Sequence, residues 1–234
     1  LMSDSMNNRI SGTHGRDNST DRLINAAGHT IGGGGLIGWT GTNGYGSTSG
    51  TLALSNAGLV EATTPTALTL SLSNGATSYN TGTLQARAGG TLYLNQGTLD
   101  NTGGTFQALA GSTALVSGSS TLIGGQVVAQ AGGTVGSSGG TIQSASLTAL
   151  DGGVVLLNGT LTDSTLTTQG TGVSRWGNGT IENVTLNGNA QLSGETSPVL
   201  RGTLTNNGTV ALNGAGALGF AQSGTQLFID GQVT

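Results

Sequence analysis

The sequence predicts an all-β fold, a right-handed parallel β-helix with three short strands per turn of about 20 residues. From Gly82 to Gly231 the chain repeats in units of about twenty residues, and each unit holds three aliphatic positions. Between these positions lie mostly five to nine residues rich in Gly, Ser, Thr and Asn. This spacing leaves room for a short strand and a turn, but not for a helix of ordinary length. Such a period is typical of a solenoid, in which each turn buries its apolar face by stacking on the next.

Aligning the units gives three aliphatic columns, which we expect to point into the solenoid. The first column is Leu84, Phe106, Val127, Leu147, Leu166, Leu186 and Val210. The second is Leu92, Leu115, Val135, Val155, Val173, Leu192 and Leu218. The third is Leu99, Leu122, Ile142, Leu161, Ile181, Leu204 and Leu227. Earlier in the chain a looser form of the pattern is expected to use Leu23, Ile31, Leu36, Leu52, Leu59 and Leu70.

Local patterns agree with stacked strands. In the segment Thr91 to Leu94 apolar residues alternate, so Leu92 and Leu94 are expected to point inward and Tyr93 outward. The chain contains 45 Gly residues, which supply positive φ angles at corners without steric cost. Gly has no period of three, so a collagen-like structure is excluded.

Two regions are expected. Residues 1–22 lack the aliphatic pattern and are interpreted as an N-terminal tail or linker. Residues 23–234 are interpreted as the parallel β-helix, and because the repeat runs almost to Thr234 we expect the chain to be a segment of a longer protein.

Composition argues against several functional classes. The chain has six basic and ten acidic side chains, and the six Arg residues are scattered, so no basic patch for nucleic acid is expected. Cys is absent, which excludes disulfides and thiolate metal sites. With two isolated His residues, His14 and His29, neither a metal nor another cofactor is predicted. No apolar run approaches the roughly 20 residues of a membrane helix, so no membrane insertion is predicted.

An enzyme of the polysaccharide-degrading kind would need two carboxylates converging on one face. Asp163 follows its column residue by two positions and Glu182 by one, so we expect their side chains to leave opposite faces of adjacent strands. A lyase would also need a basic residue beside clustered acids, and the chain has no Lys. The prediction is therefore a protein without enzymatic activity, with a polysaccharide-active β-helix enzyme as the alternative.

Insertions in the early turns suggest one candidate ligand site. The segments after Leu36 and after Leu70 fall at one corner of the predicted solenoid, and they bring Trp39, Tyr45 and Tyr79 toward one edge. Aromatic rings exposed together can stack on sugar rings or on a partner protein. The alternative is that the three rings cover the open N-terminal end of the solenoid.

A later insertion, from Ser193 to Gly202, is the most charged stretch of the predicted solenoid and gives a second candidate. It carries Glu195 and Arg201. Loops on a rigid scaffold commonly hold binding residues. The alternative is a length variant without a role.

The amino-acid sequence of the repeats resembles that of a known class of proteins. The segments LINAAGHTIGGGGLIG, LALSNAGLVEA, GTLQARAGGTLYL, NTGGTFQALAGSTALVSG and LTNNGTVALNG are similar to the β-helix regions of bacterial large exoproteins, which include filamentous-haemagglutinin-like adhesins and autotransporter passengers. The resemblance implies a structural or adhesive module, secreted or on the cell surface outside the outer membrane. Its partners would be glycans, a host or neighbouring cell surface, or other copies of the protein. A phage or viral fibre segment is a further alternative.

Overall fold

The computed structural model describes residues 3–12, 21–38, 52–193, 196–213 and 228–234. Within these residues the chain forms strands and turns and no helix, and every strand pair is parallel. The predicted fold class, a parallel β-solenoid, is confirmed. The right-handed sense of its coil stays a prediction.

The described residues form twenty-three strands. In chain order they are β1 (Arg9–Ile10), β2 (Asp21–Asn25), β3 (Thr30–Gly33), β4 (Gly35–Gly38), β5 (Leu52–Asn56), β6 (Leu59–Ala62), β7 (Leu68–Ser71), β8 (Ser78–Asn80), β9 (Thr83–Ala86), β10 (Thr91–Asp100), β11 (Thr105–Ala108), β12 (Thr113–Ile123), β13 (Gln126–Ala129), β14 (Thr134–Gln143), β15 (Ser146–Ala149), β16 (Val154–Thr162), β17 (Thr165–Thr168), β18 (Val173–Trp176), β19 (Thr180–Asn187), β20 (Asn189–Ser193), β21 (Val199–Asn206), β22 (Thr209–Asn213) and β23 (Phe228–Val233).

The strands lie in three stacks, and each long strand takes part in two of them. The first stack is β3, β6, β9, β11, β13, β15, β17 and the C-terminal parts of β19, β21 and β23. The second is β1, β4, β7, the N-terminal parts of β10, β12, β14 and β16, then β18, β20 and β22. The third is β2, β5, β8, the C-terminal parts of β10, β12, β14 and β16, and the N-terminal parts of β19, β21 and β23.

The first predicted column is confirmed over six turns. The register runs through residues that are all fully buried, namely Leu84, Phe106, Val127, Leu147, Leu166 and Leu186. The steps between these neighbours are 22, 21, 20, 19 and 20 residues, which matches the predicted period. The last member was wrong, because Val210 pairs with Ala190 in the second stack.

The second column needs two corrections of one residue. Leu92, Val135 and Val155 point inward as predicted, but their partners in the register are Ala114 and Ser174 rather than Leu115 and Val173. The alignment chose the larger aliphatic neighbour, whereas side-chain direction alternates along a strand, so a shift of one residue reverses the face.

In β18 the inward residue Ser174 can be small because Trp176, two positions later in the same strand, supplies apolar volume. The Trp176 side chain is buried inside the solenoid, and its indole Nε1 donates a hydrogen bond of 2.8 Å to Ser174 Oγ. Leu192 points inward, but it stacks on Trp176 rather than continuing the predicted column. Leu218 lies outside the described residues.

The third column is confirmed from Leu99 to Ile181, and the buried register continues to Leu200 instead of Leu204. Leu204 is buried too, but it pairs with Val184 in the first stack. Leu227 lies outside the described residues.

In the early turns Leu23, Ile31 and Leu70 occupy core positions as predicted. For two positions the residue after the predicted one is the one that enters the core, Ile37 instead of Leu36 and Val60 instead of Leu59. Leu52 is buried, although the column residue of that strand is Leu54.

The solenoid reaches into the segment that was expected to be a tail. Strand β1 pairs with Leu36 and Ile37 of β4, and Ile10 packs against the core. Asn8 Nδ2 donates to the carbonyl oxygen of Gly34 at 3.1 Å, and the backbone N–H of Thr66 donates to Asp4 Oδ1 at 2.9 Å. The boundary predicted at residue 22 therefore falls within the paired strands.

Glycines at the corners have two separate physical roles. Gly132 has a φ of 74°, a conformation that side chains other than Gly rarely adopt. A Cβ atom on its neighbour Gly133 would lie 2.2 Å from the carbonyl oxygen of Ala108, so the backbones of successive turns meet there directly. Thr134 follows and opens the next strand.

The interior also contains a polar ladder of asparagines at the corner between the third and first stacks. Each Nδ2 donates to the Oδ1 of the next asparagine at 2.6 to 2.7 Å, and the four residues are Asn25, Asn56, Asn80 and Asn101. The same amides also donate to backbone carbonyls. A buried polar group is costly unless it has partners, and here the partners are the amides of adjacent turns.

Candidate functional site

Of the three predicted aromatic residues, Tyr79 lies within the described part of the chain. It belongs to strand β8, where it is in register with Ser55 and Asp100 and points outward with 46% of its surface exposed. The Arg22 guanidinium lies 5.5 Å from the ring centroid, and it donates hydrogen bonds to Ser55 Oγ at 2.9 Å and to the Thr77 carbonyl oxygen at 3.2 Å. One face of the ring is therefore occupied by a cation–π contact.

Tyr79 is thus a strand residue rather than a loop residue. The predicted convergence with Trp39 and Tyr45 falls outside the described residues and stays a prediction.

Of the second predicted pair, Glu195 and Arg201, again only one residue belongs to the described part of the chain. Glu195 lies outside the described residues, while Arg201 is exposed on strand β21. Its partners in the register are Glu182 on one side and Asp230 on the other, so a single cation lies between two acids. Arg201 on β21 and Tyr79 on β8 both belong to the third stack, but their strands lie in distant turns. The structure therefore does not bring the two side chains together.

The expectation that Asp163 and Glu182 leave opposite faces was wrong. Glu182 points outward above Thr162, and Asp163 sits exposed at the adjacent corner with a φ of 51°. Asp163 Oδ1 accepts a hydrogen bond of 3.1 Å from Asn183 Nδ2, and Thr162 Oγ1 donates to Oδ2 at 3.2 Å. The positive φ at the corner turns the carboxylate outward, and stacked corner residues hold it.

Within the described ranges, no three His, Cys, Asp or Glu side chains come together to hold a metal ion. The same ranges contain no helix of the length and apolarity that a membrane span needs.

The most organised group of outward side chains is a hydrogen-bonded row, which we call the glutamine ladder: Glu61, Gln85 and Gln107 on the first stack, and Gln130 at the corner directly after β13. Gln130 Nε2 donates to Gln107 Oε1 at 3.1 Å, Gln107 Nε2 donates to Gln85 Oε1 at 3.0 Å, and Gln85 Nε2 donates to Glu61 Oε2 at 2.9 Å. All hydrogen bonds of the ladder run in one direction, toward the carboxylate.

Arg87 closes the ladder at the Glu61 end. Its Nε donates to Glu61 Oε2 at 2.7 Å and its Nη2 to Oε1 at 2.9 Å, a bidentate pair. Among pairs in which both residues are described, this is the one ion pair between side chains. The Glu61 side chain is 8% exposed and that of Arg87 is 45% exposed, so the acid is covered and its partner reaches the solvent.

These contacts set the charge state of the pair. The hydrogen bond from Arg87 holds the pKa of Glu61 below its ordinary value, against the opposing effect of burial, and Gln85 adds to the lowering. The hydrogen bond from Glu61 raises the pKa of Arg87 in turn. The pair is ionised at neutral pH, and its two charges compensate each other.

An open groove of about 530 Å³ follows the ladder at the corner between the first and second stacks, and we call it the ladder groove. Its lining consists of Arg87, Ala88, Gln107, Leu109, Ala110, Gln130 and Ala131. Leu109 occupies the same corner position one turn after Arg87 and one turn before Gln130. An apolar floor is therefore bordered by one guanidinium and two carboxamides.

Two other grooves lie elsewhere on the described surface. One of about 570 Å³ is formed where the N-terminal segment meets the loop at Pro65, and Met6, Leu36 and Thr69 contribute to it. Another of about 310 Å³ follows the corner near Asn158, Asn178 and Ser197. In that groove the backbone N–H of Ser197 donates to Asn178 Oδ1 at 2.7 Å, so the Asn178 carboxamide oxygen already has a partner within the protein.

The glutamine ladder was missed by sequence reasoning, although the sequence contains a signal for it. Three successive turns of the first stack read Val60-Glu61-Ala62, Leu84-Gln85-Ala86 and Phe106-Gln107-Ala108, with the long polar residue directly after the column residue. These outward positions are polar and do not belong to the aliphatic columns, so the columns alone do not reveal them.

The chain was compared with models of protein families, with curated proteins and with solved structures, and none of the three comparisons gives a match.

Proposed function

We propose that the chain is a non-enzymatic structural and adhesive module of a secreted or cell-surface bacterial exoprotein. The observation that supports this most directly is the continuous parallel ladder, which runs from β1 to β22 in the second stack and from β2 to β23 in the third. Ten strands per stack at roughly 4.8 Å spacing make a rod on the order of 40 Å long. Its inside is a continuous apolar core.

The outer surface favours recognition over chemistry. Strands of all three stacks open with outward threonines, such as Thr105, Thr113 and Thr180. The glutamine ladder adds neutral donors and acceptors in a row. Hydroxyl and amide groups on a rigid scaffold suit binding to glycans, to a host or neighbouring cell surface, or to other copies of the protein.

A polysaccharide-active enzyme is the second candidate, and one observation favours it: Asp163 and Glu182 both point outward on adjacent turns. Asp163 is already engaged by Asn183 and Thr162, and Glu182 faces the side of Arg201 in the register. The general acid of such an enzyme is a carboxyl group sheltered from solvent, and Asp163 is exposed. A phage or viral fibre segment is a further alternative that shares the rod but not the bacterial location.

Two measurements test the proposal. Beads coated with the chain are expected to attach to bacterial or host cells, or to immobilised polysaccharide, above the level of beads coated with an unrelated β-solenoid. Incubation with soluble polysaccharides is expected to release no reducing ends. Turnover that disappears in Asp163→Asn and Glu182→Gln variants would establish the enzyme instead, and beads that attach to none of these surfaces would contradict adhesion.

A further inference from the structure

We infer that the ladder groove is a binding site for a neutral oligosaccharide that lies along the solenoid axis. The inference rests on the proposed adhesive function and names its ligand class. The sequence did not predict this groove. It is separate from the predicted aromatic site at Tyr79 and from Arg201 with its acidic neighbours Glu182 and Asp230.

The lining of the groove matches the two chemical faces of a sugar. Leu109 and the three alanines Ala88, Ala110 and Ala131 give a small apolar floor, on which the C–H face of a sugar ring can rest. The carboxamides of Gln107 and Gln130 border this floor and can bind ring hydroxyls. A mostly apolar surface with a few convergent polar groups is the usual composition of a small-ligand site.

The glutamine ladder fixes these polar groups before any ligand arrives. A carboxamide has two N–H donors and a carbonyl oxygen with two lone pairs. Gln107 uses one N–H toward Gln85 and accepts one hydrogen bond from Gln130, so one donor and one lone pair remain for a ligand. Side chains held in this way lose less conformational entropy on binding.

Charge selects a neutral ligand. Arg87 is the one charged residue in the lining, and both oxygens of Glu61 already accept hydrogen bonds from it. The two opposite charges compensate each other, so the groove offers neither an uncompensated cation for an acidic sugar nor an acid for an amine.

Geometry selects an extended ligand. Arg87, Leu109 and Gln130 occupy one corner position in three successive turns, so the groove extends for roughly 10 Å along the axis at ~4.8 Å per turn. The repeating groups of a β-linked chain can therefore meet repeating positions of the solenoid.

The experiment measures binding of cellohexaose and chitohexaose to the intact 234-residue chain by titration calorimetry, with an acidic galacturonate hexamer as the comparison. The parent chain is expected to bind at least one neutral hexamer more tightly than the acidic one. Gln130→Met removes a ladder carboxamide at constant length and should weaken binding about tenfold, since roughly one hydrogen bond is lost and its groove position becomes apolar. Leu109→Asn removes the apolar floor and should weaken binding at least as much.

Gln143→Met is the matched control, because Gln143 lies in an outward position of the third stack, away from the groove. Its affinity is expected to equal that of the parent chain. Gln130 is partly exposed and makes one ladder bond, so Gln130→Met should keep its melting temperature within a few degrees, and this variant decides the matter even if Leu109→Asn fails to fold.

The outcomes separate the inference from the proposed function. Equal neutral-sugar binding by the parent chain, Gln130→Met and Leu109→Asn would place the ligand elsewhere and overturn the ladder groove while adhesion stands. Preference for the acidic hexamer, or no binding of any hexamer, also overturns it. In those cases the bead assay still reports on adhesion independently.

Discussion

Replacing Asn80 with Ala tests whether the buried asparagine ladder stabilises the solenoid. The Asn80 side chain is fully buried, accepts a hydrogen bond of 2.7 Å from Asn56, and donates to Asn101 Oδ1 at 2.6 Å and to the Thr105 carbonyl oxygen at 3.3 Å. Asn80→Ala leaves Asn101 Oδ1 without this donor in a buried site. An unsatisfied buried group costs roughly 1–3 kcal/mol and each lost hydrogen bond about 1 kcal/mol, so we expect a total loss of about 3 kcal/mol.

The control is a second hydrogen bond between two asparagine side chains, located on the surface. Asn207 Nδ2 donates to Asn187 Oδ1 at 2.9 Å in an exposed position, and Asn207→Ala should cost less than about 1 kcal/mol, because water replaces the lost partner. Urea unfolding followed by circular dichroism gives both values, and equal m-values verify that the same amount of structure unfolds. If Asn80→Ala costs no more than Asn207→Ala, burial does not give the ladder its energetic role.

Three further predictions follow from buried or paired groups. Ile142→Asp should destabilise the chain by several kcal/mol in urea unfolding, because it places an unpaired carboxylate in a fully buried column; a loss under about 1 kcal/mol would contradict the inward assignment. Ser137→Ala should stabilise it by about 1 kcal/mol, because Ser137 Oγ is buried without a hydrogen-bond partner in the described structure, and a destabilised variant would argue against this. Arg87→Met should destabilise the chain most at pH 7: the lowered pKa of Glu61 gives stability that is present above the unfolded-state pKa and is lost as the pH falls through the folded-state value. Without Arg87, burial raises that pKa, so the deficit relative to the parent chain should shrink toward pH 3, and a deficit independent of pH would refute the role of the pair.

The sequence was a good guide to the stacked core and a poorer guide to register. Columns such as Leu122, Ile142 and Leu161 could be predicted because burial repeats the same demand in every turn. The errors at Leu115 and Val173 arose where the inward residue is Ala or Ser, since size alone then favours the outward neighbour. In β18 the large Trp176 lies two residues after the small inward Ser174, so the inward face of a strand cannot be identified from the size of one residue alone.

The asparagine ladder is visible in the sequence as recurring Asn residues, but it can be recognised only when the register of the parallel strands is known. Asn56, Asn80 and Asn101 each follow their column position by two residues and precede a glycine within three. Taken one at a time, each Asn near a Gly indicates a turn. Stacked by the parallel register, the same residues become consecutive partners, and their amides enter the interior instead of the solvent.

The same reasoning explains why function is harder to predict than fold in this chain. Inward positions are under one constraint, apolar volume, and every turn repeats it. Outward positions tolerate many residues, so a single unusual side chain there carries little information until its neighbours in adjacent turns are known. Gln85 and Gln107 lie 22 residues apart in sequence but share a hydrogen bond of 3.0 Å, and Arg87 reaches back 26 residues to Glu61. A surface of this kind is built across turns, which is why the ladder groove is recognised from stacked side chains and not from any linear motif.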